Sequence, residues 1–393
     1  MFSNLTAPKQ DPILSLSQAY RLDQRDNKVD LGIGVYKNSD GVTPVMQSVL
    51  TAQARVLEQQ TTKAYVGMAG DEEFNAAALS LVLPDAAVAS RASSIQTPGA
   101  SGGLRMLAEL IAFSNPGATV WLSNPSYVNH QPVMEAAGLK VKHYRYFDVA
   151  TKQVDTSALL EDLAKVKAKD VVLLHGCCHN PTGADLTPEA WKSVTELAQR
   201  NGFLPFIDIA YQGFGDGLAQ DAFGVQHMAS NLPELLVTSS CSKNFGLYRE
   251  RTGSAIIVAD QATHATNARG KLLQMARTTY TMPPAHGASI VKTVLLDNEL
   301  KAAWQQELEQ MRLRLVNLRA NLCSELVERT GSHDFDFIQQ HKGMFSVLGF
   351  APSQMLRLRE EFGVYGVDDG RINIAGLREK DLAYVASSIA AVR

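Results

Sequence analysis

The stretch Ser239-Ser240-Cys241-Ser242-Lys243-Asn244-Phe245-Gly246-Leu247, with Arg249 and Arg251 just beyond it, decides the reading of this 393-residue chain. It sets one lysine among small hydroxyl residues. The preceding run Leu235-Leu236-Val237-Thr238 has the character of a short apolar strand. Lys243 is therefore expected at a strand end, where a rigid scaffold presents loops for binding and catalysis. Two readings are open for such a lysine. Most lysines are solvated surface charges, but one made nucleophilic by partial burial and a nearby cation can form a Schiff base. Arg251 supplies either that cation or an anchor for a phosphate.

Composition narrows the class. A chain of 393 residues is long for one core and suggests two domains. Hydrophobic residues at 45% and charged residues at 20% describe a soluble globular protein. A formal net charge of −3 gives no general attraction to nucleic acid or to an anionic membrane, so neither partner is expected and any anion must be held by placed arginines. No basic run followed by an apolar segment opens the chain, and no stretch is long and apolar enough to span a bilayer. A cytoplasmic location is expected. The four cysteines, Cys177, Cys178, Cys241 and Cys323, show no C-x-x-C spacing and suggest neither a disulfide framework nor a zinc site. His175 and His179 flank the Cys177-Cys178 pair, yet no acidic or second cysteine cluster completes a coordination shell, so no metal is expected.

From Ser94 to Ile111 a strand, a small-residue loop (Pro98-Gly99-Ala100-Ser101-Gly102-Gly103) and a helix with Leu104, Leu107, Leu110 and Ile111 on one face follow one another. Free N–H groups and the helix dipole converge on such a loop, which makes it a phosphate cradle. It is neither a P-loop nor a dinucleotide fingerprint. Strands and helices then alternate to about Val258, and their near-continuous apolar strands predict a mainly parallel sheet covered by helices on both faces. The run Gly213-Phe214-Gly215-Asp216-Gly217 misses the nucleotide-binding spacing and reads as a flexible loop. A long helical region is predicted from about Ala288 to Leu326. After it come strand-like stretches at Phe335–Ile338, Met344–Leu348 and Arg371–Ile374 with two helices, an α+β unit. The start of the chain reads as a polar arm with a turn or helix start at Asp11-Pro12, a helix over Ile13–Leu22 and a strand over Val29–Tyr36.

The lysine segment resembles that of the fold-type I pyridoxal-phosphate (PLP) aminotransferases, in particular the aspartate and aromatic aminotransferase group. The resemblance extends through Leu31-Gly32-Ile33-Gly34-Val35-Tyr36, His179-Asn180-Pro181-Thr182-Gly183, Asp208-Ile209-Ala210-Tyr211 and Gly370-Arg371-Ile372-Asn373, in the family's order. It implies an α/β fold whose large PLP-binding domain, residues 45–310, holds a mainly parallel seven-stranded sheet between helices. A smaller α+β domain would combine residues 11–44 with 311–393, behind an arm over 1–10.

Each part that a PLP enzyme needs has a candidate. Lys243 would carry the imine. Asp208, ending the apolar run Leu204–Ile207, is a carboxylate that burial would make costly without a partner, and a protonated pyridine nitrogen is such a partner. The resemblance assigns Tyr211 and Asn180 to the cofactor's ring oxygen and His130 to the support of the aspartate. Ser240, Arg251, Ser101 and the backbone at Gly99 and Ala100 are candidates for the phosphate, where a bidentate guanidinium suits a dianion. The resemblance also implies that Tyr65 reaches the phosphate from a neighbouring subunit, hence a homodimer with shared sites. Arg371, on an alternating strand with Asn373, offers a fork for an α-carboxylate, with Gly34 and Asn180 beside the substrate. Arg277 matches the family arginine that binds the distal carboxylate of dicarboxylic substrates.

Three departures bear on the substrate. Tyr127 stands where the family usually stacks a tryptophan on the cofactor, and Thr281 and Met282 replace the more usual serine and asparagine before Pro283-Pro284. The expected activity is ping-pong transamination between L-aspartate, with aromatic amino acids also accepted, and 2-oxoglutarate. The alternative is an aromatic amino acid aminotransferase as the main activity. A PLP-sensing regulator would need an added DNA-binding module. A cofactor-free Schiff-base aldolase would leave Asp208, Ser240 and Arg251 unexplained.

Overall fold

The structure is a computed structural model and describes residues 2–7 and 12–393. Of the expected arm over 1–10, positions 1 and 8–10 lie outside the described residues, as does Asp11 of the expected turn.

Seven strands form the central sheet: β1 (Ala92–Pro98), β2 (Thr119–Asn124), β3 (Lys140–Arg145), β4 (Val171–His175), β5 (Leu204–Ile209), β6 (Leu235–Ser240) and β7 (Thr252–Val258). Their spatial order is β1-β7-β6-β5-β4-β2-β3. Only β7 runs against its neighbours, and β6, β5, β4, β2 and β3 pair in parallel.

The apolar runs follow from coverage on both faces. Along β4, Val172 and Leu174 pack into one cluster with Ile207, Val237 and Ile256, whereas Val171 and Leu173 pack into a second with Phe206, Leu236 and Ile257. Successive side chains on a strand point to opposite faces, so a strand buried on both must be apolar throughout. Each fully buried Leu, Val or Ile contributes on the order of 1.5–3 kcal/mol relative to exposure.

Local chemistry sets the helix ends. The Thr187 hydroxyl accepts from Ala190 N–H, and Pro188 opens the helix Pro188–Asn201, where its missing N–H costs nothing. Asp297 accepts from Glu299 and Leu300 N–H and starts the 33-residue helix Asn298–Thr330. Along that helix Leu300, Trp304, Leu308, Met311, Leu315, Leu318, Leu322 and Leu326 are buried, a three-and-four spacing that keeps one face on the core.

Beyond the sheet, the two chain ends meet. Val29–Asp30 pairs in parallel with Val364–Tyr365, and Phe345–Val347 pairs antiparallel with Arg371–Asn373. Among the described residues no helix is long and apolar enough to cross a membrane.

Four expectations need correction. The strand predicted over Val29–Tyr36 is limited to Val29–Asp30, because residues 33–36 give their backbone groups to side chains, Ile33 and Val35 carbonyls to Asn373 and Tyr36 N–H to Tyr248. The helical region from Ala288 is two helices, Ala285–Leu296 and Asn298–Thr330, divided at the capping Asp297. Phe337–Gln340 is a short helix rather than part of a strand. Residues 213–215 are buried, and the Asp221 carboxylate ties this turn down by accepting from Gly213, Gly215 and Asp216 N–H.

Candidate active site

Register on the parallel strands brings His175, Asp208 and Thr238 side by side at the carboxyl edge of the sheet, the edge at which open α/β sheets bind their ligands. The cavity there is about 270 Å³. Gly34, Ala100, Ser101, Tyr127, Asn180, Asp208, Tyr211, Ser240, Lys243, Arg251 and Arg371 all line it.

Lys243 sits in the turn directly after β6, its Nζ 4.7 Å from the centre of the Tyr211 ring. Burial pushes its pKa down to about 8, against an opposing pull from Asp208 and with a smaller push from the Arg251 cation. Roughly one amine in ten is then neutral at pH 7, far more than for an ordinary lysine.

Asp208 is buried near the end of β5. Burial alone would raise its pKa, but the hydrogen bond from His130 leads the interactions that hold it below the ordinary carboxylate value. His130 Nε2 lies 2.9 Å from Oδ2, and the Thr238 hydroxyl donates to Oδ1 at 3.0 Å. Because an ionised carboxylate only accepts, the imidazole proton sits on Nε2. The Ser126 hydroxyl lies 3.0 Å from His130 Nδ1 and 3.3 Å from His175 Nε2. Burial pushes His175 down to about 3, so that ring is neutral. The carboxylate is thus kept charged, with its two oxygens met by His130 and Thr238.

The opposite wall is an anion cradle. Gly99 opens the helix Gly99–Ser114 with φ 67°, and a Cβ built on it would lie 2.5 Å from Arg251 Nη2. Glycine is thus required twice, for the left-handed backbone and for the close approach of the guanidinium. Arg251 donates to the Ser242 hydroxyl and the Tyr248 carbonyl and has no carboxylate partner among the described residues. With Ser101, Ser240 and the start of the helix at Ala100, it forms a positive, donor-rich cup, in which Gly99 N–H is itself given to the Arg251 carbonyl at 2.9 Å.

Arg371 closes the third side. It is 4% exposed, donates from Nη1 to Asn180 Oδ1 at 3.2 Å and from Nη2 to the Gly32 carbonyl at 3.0 Å, and stacks over the Phe345 ring at 4.6 Å. Its Nε has no partner among the described residues. Its buried charge is met by neutral acceptors and by no carboxylate among the described residues. Tyr211 is buried against the same wall, and burial keeps its hydroxyl protonated far above the usual range.

Two predicted residues stand apart. Tyr65 is 88% exposed and Arg277 is exposed. Neither lines this cavity.

The sequence matches the family model for aminotransferase class I and II over residues 26–389. It is 46% identical to the aromatic-amino-acid aminotransferase of Paracoccus denitrificans, over 99% of both chains, and 45% identical to the aspartate aminotransferase of Escherichia coli K12, over the whole of both. The chain belongs to the class I and II aminotransferase family. Its structure superposes with a TM-score of 0.97 on the aromatic-amino-acid aminotransferase of Burkholderia pseudomallei, 39% identical and covering 100% of this chain and 99% of that one, which is covalently bound to pyridoxal phosphate.

In this aminotransferase, several lining or supporting residues escaped the sequence reading. Strand register brings Thr238 and His175 to the site, the loop after β2 brings Ser126, and contacts with segments from the chain ends bring Tyr248 and Phe345. Of these, His175 alone was weighed from the sequence, as a metal ligand, and set aside. Cys177, Cys178 and Asp221 do place ligand atoms within 4.8 Å of one another. Asp221 is nevertheless taken up by three N–H donors, burial holds the Cys178 thiol up at about 12, and the hydrogen bond with Cys178 together with burial raises Cys177 well above the usual thiol range. Protonated thiols and a satisfied carboxylate are a packing cluster rather than a prepared metal site.

Proposed function

We propose that this aminotransferase holds pyridoxal 5′-phosphate in the cavity and transfers the amino group between L-aspartate, with aromatic amino acids also accepted, and 2-oxoglutarate in a ping-pong cycle. The observation that carries the reading is the placement of three complementary charges around one cavity: a lysine of depressed pKa, a buried ionised aspartate and a buried arginine without a carboxylate. The residues fit the cofactor. The Gly99–Arg251 cup with Ser101 and Ser240 would take the phosphate, Asp208 the ring nitrogen, Asn180 and the protonated Tyr211 the ring oxygen, and Tyr127 a ring face.

When bound, the pyridine ring supplies an electron sink for the pair released as the substrate Cα–H bond breaks. Asp208 contributes a fixed negative charge that keeps the ring nitrogen protonated, and His130 and Thr238 prevent it from turning away. Arg371 binds the substrate's α-carboxylate and so orients Cα. Lys243 Nζ is the base placed to take the proton from Cα, a role its lowered pKa suits at neutral pH.

Tyr65 and Arg277 extend this reading to a homodimer with shared sites. Both project from the surface of the single chain, where exposed Phe2, Leu5, Leu57 and Val66 also offer apolar area. In the dimer, Tyr65 would reach the partner's phosphate cup and Arg277 the distal carboxylate of a substrate in the partner's cavity. The proposed domains are residues 11–44 with 311–393 and residues 45–310, and the proposed location is the cytoplasm.

A second reading, an aromatic amino acid aminotransferase as the main activity, is favoured by the cavity wall of Ile13, Leu104 and Phe345, which gives apolar area to a large side chain. The purified protein tests the shared core of both readings. It should show an absorbance band at the visible edge that shifts on adding aspartate or tyrosine, and Lys243→Ala should abolish turnover. A colourless, unresponsive protein, or a Lys243→Ala variant keeping more than about a hundredth of the rate, would refute it.

A further inference from the structure

Arg319 is a charged residue for which neither the fold nor the mechanism has yet given a reason. It projects from the helix Asn298–Thr330, is 2% exposed, and makes no ion pair among the described residues. Its guanidinium instead gathers five neutral acceptors from one short segment: the carbonyls of Ile338 (3.0 Å), Lys342 (3.2 Å), Gly343 (2.8 Å) and Phe345 (2.7 Å), and the Ser346 hydroxyl (2.7 Å). Burial of an unpaired cation is costly, and an apolar residue would serve packing alone at lower cost. The planar fork does what packing cannot, since it fixes at once several backbone carbonyls between the short helix Phe337–Gln340 and the strand Phe345–Val347.

That segment has one consequence for the site. Phe345 lies directly under the Arg371 guanidinium, meets Tyr211 edge-on at 6.0 Å and lines the cavity. On its other side the segment is pressed against the loop that carries Asn180, the Nη1 partner of Arg371. Lys342 N–H donates to the Gly183 carbonyl at 2.7 Å, and a Cβ on Gly343, where φ is 70°, would lie 2.4 Å from Cys178 Cβ. Ser346 accepts from Arg319 and lies 3.1 Å from His341 Nδ1, while His341 Nε2 lies 2.8 Å from the Lys152 carbonyl. Burial pushes His341 down to about 4, which leaves a neutral ring to accept from Ser346 and donate to Lys152.

We propose that Arg319 is a positioning residue for the carboxylate end of the cavity: it clamps the 338–346 segment so that Phe345 and the Asn180 loop hold the Arg371 guanidinium in the plane that receives the substrate carboxylate. The inference rests on the assignment of Arg371 to that carboxylate. A guanidinium displaced by an ångström loses alignment with its ligand at a cost that reaches two orders of magnitude.

Arg319→Lys keeps the charge but cannot span five acceptors, and Ser346→Ala removes a single acceptor at little risk to folding. On the PLP-loaded enzyme, the inhibition constant of succinate as a competitive carboxylate ligand and KM for the amino donor should rise about tenfold in Arg319→Lys and by a few-fold in Ser346→Ala. kcat should stay within about threefold and the cofactor absorbance should be retained. Unchanged succinate affinity in folded variants, whether or not the melting temperature falls, would overturn the inference and leave Arg319 a fold staple. Arg371→Lys is the parallel control. If it weakens succinate while Arg319→Lys does not, the Arg319 inference alone fails. If Arg371→Lys leaves succinate binding unchanged, the carboxylate assignment fails and the Arg319 inference with it.

Discussion

Asp208 and His130 are joined by a hydrogen bond of 2.9 Å between Oδ2 and Nε2 in a region where both side chains are buried. The Thr238 hydroxyl fixes the other carboxylate oxygen. The charge is therefore both retained and aimed, which matters because the partner proposed for it is a ring nitrogen whose protonation controls electron withdrawal. Asp208→Ala is expected to lower kcat by at least about a hundredfold, the scale of losing one preorganised electrostatic contact. His130→Asn should cost less than about tenfold, since Thr238 still orients the carboxylate. Single-turnover rates with aspartate, measured with the cofactor band present, check this. Equal losses in the two variants would give His130 more than a supporting role.

The depressed pKa of Lys243 predicts a pH dependence of cofactor capture. Burial, only partly offset by Asp208, lowers the folded-state value from an ordinary 10.5 to about 8, so the reactive neutral amine grows as pH rises and saturates above 8. PLP uptake by cofactor-free enzyme should accelerate close to tenfold per unit below pH 8 and level off above it. The same shift gives a stability change of definite sign. Between pH 8 and 10.5 the unfolded chain binds the proton that the folded chain has released, so the cofactor-free protein should gain stability across that window relative to Lys243→Met. Stopped-flow absorbance and denaturation at fixed pH values test both. A rate still climbing steeply at pH 10 would mean the amine is not perturbed.

Gly99 gives a test of the phosphate cup that leaves every charged group in place. A Cβ there lies 2.5 Å from Arg251 Nη2 on a backbone at φ 67°, so Gly99→Ala must strain the turn or move the guanidinium. Loss of a charge-assisted contact of about 1.5–3 kcal/mol corresponds to roughly a ten- to hundredfold rise in the Kd for PLP. Equilibrium dialysis measures it. Unaltered PLP affinity would place the phosphate elsewhere.

Much of this site could be read from sequence because its chemistry is local. A lysine after an apolar strand, an aspartate at the end of another and a glycine-rich turn opening a helix each violate the ordinary pattern for their position, and the structure gathers Lys243, Asp208 and Ala100 around one cavity. Phe345, Tyr248, Thr238 and Arg319 broke no local pattern. Their significance comes from contacts between distant segments, such as Tyr36 N–H with the Tyr248 hydroxyl at 3.0 Å or the pairing of Val347 with Arg371. The extent of the strand at Val29 was misread for the same reason, since Asn373 and Tyr248 take the backbone groups that a sheet partner would have used. Tyr65 and Arg277 pose a different problem, because one chain does not hold the surface that their proposed roles require.

Arg277 decides between the two substrate readings. It is exposed near the end of the helix Ala262–Thr279 and does not line the cavity of its own chain, so a role with substrate requires delivery to a partner's cavity. If it binds a distal carboxylate there, Arg277→Ala should lower kcat/KM for aspartate by about ten- to a hundredfold or more, the cost of a charge-assisted contact. Turnover of tyrosine, which makes no such contact, should change little or rise. Comparing the two donors in parent and variant isolates the difference in transition-state binding. Mixing subunits adds the test of geometry: Lys243→Ala and Arg277→Ala proteins, each poor with aspartate alone, should regain activity when they exchange into hybrid dimers, because one of the two cavities then combines a native Lys243 with a native partner Arg277. Equal losses for aspartate and tyrosine would assign Arg277 to structure or cofactor. No recovery on proven subunit exchange would show that Arg277 does not act across the interface, and the dicarboxylate reading would give way to the aromatic one.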